Sequence, residues 1–323
     1  MTTMVAKPPE LEPRNRALGQ ALDGHRRAVW GVCYRMTGVA ADADDLVQET
    51  FARALTARPD RSGEPLRPWL TRVAVRLAID HLRRRRVRGY PGQWLPGPAS
   101  TDEPDLGPTP DARYDTAESA SYAFLVALER LTPLQRAVLL LRDVLGHSVR
   151  EAASALSTTD GAVKVAHLRA RRAMDGYEAD RLPATPALEA RTREALEGFM
   201  QAILAGDVAA AEALLAANAR VVSDAGGAYF SAPRAIDGAR NVARFFVGVA
   251  PRGGRERRVT WLRLNGVPVI VLDFRSPDAG VAPRFVLRAE LDAEGRIRRI
   301  YAVAAPRKLT GLPPGPPAAP PAR

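Results

Sequence analysis

The chain has 323 residues, 46% of them hydrophobic, which is enough for two or three domains with separate cores. It has no run of about 18 apolar residues, and Met1–Glu12 lack the apolar segment of a secretory leader. Its only cysteine, Cys33, excludes an intrachain disulfide and a cysteine-based zinc cluster. A cytoplasmic protein that does not bind membranes is therefore expected. With 47 basic and 36 acidic residues, the net charge of +11 points to a polyanionic partner.

The charge is unevenly placed. Residues 18–88 have helical periodicity and are basic; 89–117 hold one Arg and five acids, Asp102, Glu103, Asp105, Asp111 and Asp115. That second stretch is rich in Pro and reads as a linker. Residues 118–177 are helical and basic again. After a break at Leu182-Pro183, the stretch 187–217 reads as two helices parted near Gly206-Asp207. Val259–Leu264 and Val267–Phe274 flank Asn265-Gly266, a favoured hairpin turn. Phe285–Leu291 and Ile297–Val303 form a second hairpin signal. The region 187–309 is thus α+β, and the Pro- and Ala-rich tail 310–323 is expected to be disordered.

In the first block, Asp42, Asp45 and Glu49 share a helix face, with Gln48 beside them. Carboxylates near a helix N-terminus answer the macrodipole; they also make a docking face for a basic partner. Val47, Phe51 and Leu55 line a second face suited to burial. Further on, Leu70, Val73, Ala74, Leu77 and Ala78 make an apolar stripe. Arg72, Arg76, Arg83, Arg84, Arg85 and Arg86 surround it, in a window holding eight Arg and one acid. Guanidinium forks suit phosphates, and Trp69 suits stacking on an unpaired base. A solvated charge run and a core Trp are the plainer alternatives.

In the second block, Thr132-Pro133 opens an apolar helix. Ser148-Val149-Arg150-Glu151 fits a capping box that starts the helix Val149–Leu156. Ser157-Thr158-Thr159 turns into the helix Asp160–Met174, which carries Lys164, Arg169, Arg171 and Arg172. A short helix, a tight turn and a basic second helix make a helix-turn-helix. His167 lies on this helix, between a buried role and a DNA contact. Val165 and Ala166 supply few hydrogen bonds to base edges.

Together these motifs resemble the extracytoplasmic-function sigma factors of the sigma-70 family. The resemblance covers about 18–176. It implies that Asp42–Phe51, with Asp45, Gln48 and Glu49, binds the β′ clamp helices of core RNA polymerase. Trp69–Arg86 would melt and read the −10 promoter element. Leu128–Met174 would meet the β flap and read the −35 element. No nucleotide hydrolysis, cofactor or metal is implied, and the sequence has no Gly-rich phosphate loop.

Tyr90–Pro98, with Trp94, Leu95 and Pro96, resembles the linker motif of a subgroup with a C-terminal SnoaL-like domain. The implied architecture is multidomain: two all-α sigma domains, then a cone-shaped α+β barrel of the nuclear-transport-factor-2 kind. In that subgroup the domain is a built-in regulator. Asp224, Gly226 and Gly227 resemble its Asp-Gly-Gly-Gly-Lys segment, without the Lys. Ala304-Ala305-Pro306-Arg307-Lys308-Leu309, with Lys308, resembles its terminal Asn-Pro-Asp-Lys-Leu segment in part. A hypothesis follows that Trp94-Leu95-Pro96 docks on the barrel. A small-molecule ligand of the domain and a purely intramolecular role both fit. Catalysis fits less well, because His25, His81, His147 and His167 all precede the domain. Two other readings are a helix-turn-helix regulator acting without polymerase and a SnoaL-type enzyme with a DNA-binding arm.

Overall fold

The computed structural model describes residues 11–57, 65–100, 106, 112–180, 185–254 and 256–315. The acidic residues Asp102, Glu103, Asp105 and Asp111 lie outside them. So does the end of the tail, 316–323.

Helices α1 (Leu11–Thr37), α2 (Ala40–Ala57) and α3 (Leu66–Arg88) form the first helical block. On α3, Leu70, Ala74, Leu77 and Ala78 are buried as the stripe predicts, while Val73 is half-buried. Val75, Ile79 and Leu82 are buried too, because the helix is covered from more than one side. Leu55 of α2 stays 45% exposed, so the second face of that helix is buried only as far as Val47 and, in part, Phe51.

The second block contains α4 (Thr116–Ser119), α5 (Tyr122–Leu128), α6 (Pro133–Leu139), a π-turn over Leu140–Val144, α7 (Val149–Leu156) and α8 (Asp160–Asp180). Both predicted start signals form. Thr132 and Gln135 make one capping box, and Ser148 and Glu151 make another. The two helical blocks share one continuous hydrophobic core that runs from Leu70 and Leu82 to Leu139 and Val163.

The last third has α9 (Pro186–Ala205), α10 (Val208–Ala213), β1 (Leu215–Asp224), β2 (Ile236–Asp237), α11 (Ala239–Val249), β3 (Arg257–Leu264), β4 (Val267–Phe274), β5 (Arg284–Leu291) and β6 (Ile297–Val303). The sheet order is β2-β1-β6-β5-β4-β3. Pairing is antiparallel except between β1 and β6. Side chains alternate between the sheet's two faces. Ile270, Leu272, Leu287 and Ile300 face α9 and α11, against Leu196, Phe199, Val242 and Phe246. Val269, Val271, Val286, Tyr301 and Val303 face the other way and are covered by Leu95, Tyr122, Leu309 and Leu312. The second face of the sheet is therefore buried against the helical part of the chain.

Three expectations change. Leu215–Asp224 is a strand, whereas its first residues read as helix, because its partner β6 lies some 80 positions later and no local signal announces the pairing. The linker is only partly open: Leu95–Ala99 are buried. The start of the tail is ordered rather than disordered. Leu312 is 8% exposed, and Arg284 donates to the Pro313 carbonyl at 2.7 Å. In both segments apolar side chains insert between the sheet and the helices, which offsets the entropy of ordering a Pro-rich chain.

Candidate polymerase and promoter interface

The acidic face of α2 is partly covered. Asp42 is buried, and its Oδ2 lies 3.1 Å from His81 Nε2. Arg307, just beyond the sheet, donates from Nε to Asp42 at 3.0 Å and from Nη2 to Asp45 at 2.6 Å. Burial opposes ionisation of Asp42, but His81 and Arg307 outweigh it and hold the carboxyl below its ordinary range. Gln48 and Glu49 are exposed, and Glu49 pairs with Arg53 at 2.9 Å.

Along α3, several arginines bind the second block. Arg76 donates to the Ala155 carbonyl at 2.7 Å and to Ser157 Oγ at 2.6 Å. It thus serves the C-terminal end of α7, where a cation answers the helix dipole, and the turn into α8. Arg85 donates to Thr37 O at 3.1 Å and to Glu129 at 2.7 Å, with its guanidinium 4.0 Å from the Trp94 ring centre. Arg86 donates to Leu131 O at 2.6 Å. Arg83 and Arg84 are exposed, with Asp80 3.4 Å from Arg83. Trp69 and Arg72 are half-buried, and Trp69 rests on the core.

The helix-turn-helix forms as α7, a turn with Ser157 in the left-handed region (φ 50°), and α8. Val163, Ala166, Ala170 and Met174 bury one face of α8. Lys164, Arg169 and Arg172 are exposed. His167 is half-buried, with Nε2 2.9 Å from both oxygens of Asp143. Arg171 donates to the same carboxylate at 2.8 Å. Burial pushes Asp143 up, but these two partners win and depress it.

The residues of three separate motifs meet at one buried carboxylate. Asp224, at the end of β1, accepts from Leu95 N at 2.7 Å, Tyr90 OH at 2.6 Å and Gly226 N at 3.0 Å. Lys308 Nζ donates to Asp224 and, at 2.6 Å, to the Leu95 carbonyl. It also lies 4.0 Å from the Trp94 ring centre and 4.4 Å from that of Tyr90. Burial lowers the Lys308 ammonium to about 8, against the pull of Asp224. Gly226 and Gly227 both have positive φ, and a Cβ on Gly227 would stand 2.8 Å from the Pro91 ring. Pro96 is buried and its carbonyl accepts from Tyr122 OH at 3.0 Å.

Sequence reasoning missed Asn265 and Tyr34. Asn265 accepts from Ala99 N at 3.1 Å and donates to Tyr34 OH at 2.8 Å and Ala120 O at 2.9 Å. One amide thereby joins α1, the linker, the second helical block and the sheet. Its place in an Asn-Gly turn gives local structure a sufficient reason for the Asn and hides the contact. Arg307 was missed as well, because no local signal announces its partners on α2.

An acidic helix and an Arg-rich helix, followed by a basic helix-turn-helix, define a sigma-70-type transcription initiation factor. Residues 22–88 match the model for Sigma-70 region 2, and residues 121–174 the one for Sigma-70, region 4. The chain is 32% identical over 304 residues to the ECF RNA polymerase sigma factor SigJ of Mycobacterium tuberculosis (strain ATCC 25618 / H37Rv), spanning 89% of this chain and 92% of that relative. It is 38% identical over 208 residues to SigG of Mycobacterium tuberculosis (strain CDC 1551 / Oshkosh), across 57% of this chain and 55% of the relative. The crystal structure of Mycobacterium tuberculosis SigJ aligns with a TM-score of 0.65 and 27% identity, covering 91% of this chain and 99% of SigJ. The chain belongs to the extracytoplasmic-function RNA polymerase sigma factors. It directs core RNA polymerase to promoter DNA in transcription initiation, as a transcription factor and not an enzyme, and its C-terminal domain is SnoaL-like. Among the described residues, no helix is long and apolar enough to cross a membrane.

Proposed function

We propose that the C-terminal domain restrains this sigma factor by holding its two promoter-binding modules together in the free chain. Modules 18–88 and 118–177, linker 89–117 and regulator 187–309 are the working units, and the protein acts in the cytoplasm. The observation that carries the reading is the Asp224–Lys308 junction, where the sheet, its C-terminal extension and the linker share one buried ion pair. In this arrangement Arg307 stands on Asp42 and Asp45, the residues assigned with Gln48 and Glu49 to the β′ clamp helices. Arg76, Arg85 and Arg86, assigned with Trp69, Arg72, Arg83 and Arg84 to −10 DNA, bond to region 4 instead. Lys164, Arg169, Arg171, Arg172 and His167 are assigned to the −35 element, and the first helices of region 4 to the β flap.

Polymerase and promoter bind the separated modules and so draw the population away from the closed form. A small-molecule ligand of the C-terminal domain fits as a further influence on the same equilibrium. Run-off transcription with core polymerase tests the reading. A chain ending at Tyr177 should give more promoter-specific transcript than the full chain. Equal yields from the two would remove the restraint from the account.

A further inference from the structure

The outward face of α8 is unusual for a DNA-reading surface. At about 100° per residue, Gly161, Val165, Leu168 and Arg172 lie opposite the buried stripe of Val163, Ala166, Ala170 and Met174. Val165 is 50% exposed and Leu168 53% exposed. Two branched aliphatic side chains thus occupy the centre of a face flanked by the exposed cations Lys164 and Arg169, with Arg172 one turn beyond Leu168. Neither contributes to the protein's core. His167 and Arg171 lie nearer the buried stripe and are bound to Asp143, so neither fills the centre of this face.

The major groove offers one apolar feature, the thymine C5-methyl group. Aliphatic side chains at the centre of a recognition helix match it, and basic residues at the rim match the flanking phosphates. We infer that Val165 and Leu168 are specificity-determining residues that read thymine methyl groups in the −35 element, in place of hydrogen bonds to base edges. The inference rests on the recognition role assigned to α8. It adds the chemistry of the readout. Burying one methyl group in such a contact is worth roughly fourfold in affinity.

The test uses holoenzyme reconstituted from core polymerase and the full chain. A −35 site is first selected from a randomised promoter pool, and each thymine in it is then replaced by uracil, which removes only the methyl. Wild-type holoenzyme should lose roughly fourfold in affinity at one or two positions. The double variant V165S/L168Q should be indifferent to the same replacements. Its substitutions lie on the solvent face, so its melting temperature should match wild type, and with its cations intact its salt dependence should match too. A selected site without thymine, or equal uracil sensitivity in both proteins, overturns the inference, as does no sensitivity in either. R169A separates the two claims. Its salt slope should fall by about one. If that slope is unchanged, the recognition role of α8 fails; if it falls while uracil is silent, only the methyl readout fails.

Discussion

Helices α3 and α8 are both rich in Arg, yet they present their charge differently. Arg76, Arg85 and Arg86 of α3 donate to carbonyls, a hydroxyl and a carboxylate within the chain. Lys164, Arg169 and Arg172 of α8 stand exposed. The difference arises from what covers each helix. Helix α3 is packed against α6 and α7, and its basic end meets the linker at Trp94. Helix α8 rests on the core along one stripe only. An Arg-rich helix therefore shows its function only when it is known which acceptors lie within reach. In the free chain Arg76, Arg85 and Arg86 are engaged internally, while Lys164, Arg169 and Arg172 are open to solvent.

That contrast can be broken at the junction that maintains it. D224A should have the largest effect. It strands Lys308 in a buried site and removes acceptors from Tyr90 and Leu95. Loss of one partner from a buried pair costs about 3–5 kcal/mol, to be read from denaturant unfolding. The same variant should transcribe more strongly, since α3 would be released. R76A should cost about 1.5–3 kcal/mol, the range for a hydrogen bond to a charged group, and should leave DNA binding by α8 unchanged. A hydrogen-exchange increase confined to the α3–α7 contact would mark the loss.

Acid should sharpen the contrast from the α8 side. Asp143 holds His167 and Arg171, and its native carboxyl sits below its ordinary value of 3.8. The unfolded chain therefore takes up this proton first as pH falls. The stabilisation is complete above that value and is lost as pH falls through the lower native one. An acid titration of D143N should lack that part of the slope. The smallest effect on stability should come from R307A. Arg307 is 63% exposed, so its pairs with Asp42 and Asp45 are screened and worth at most about 1 kcal/mol. Affinity for core polymerase should nonetheless rise, because the acidic face of α2 is uncovered. An unchanged affinity would show that Arg307 does not compete with polymerase.

Much of this was legible in the sequence because it is local. The Ser148–Glu151 capping box, the Thr132-Pro133 helix start, the Asn265-Gly266 hairpin and the strands Val267–Phe274 and Ile297–Val303 are set by neighbouring residues, and they appear where expected. Asp224, Trp94 and Lys308 could be singled out only through resemblance, since nothing local explains a carboxylate at the end of a strand. Arg307 and Asn265 illustrate what stays hidden. Partners of both lie more than 200 positions away, Asp42 and Asp45 for Arg307 and Tyr34 for Asn265. An exposed-looking acidic stripe and a turn residue have sufficient local explanations, so the long-range contacts leave no periodic trace.

The central claim is that the free chain is closed and that polymerase opens it. Spin labels on V87C of α3 and R150C of α7 would measure this directly. Both positions are exposed, and the native Cys33 is buried and so escapes labelling. The account predicts a short, narrow distance distribution in the free chain that lengthens on binding core polymerase. An identical short distance in free chain and in promoter-competent holoenzyme would contradict it.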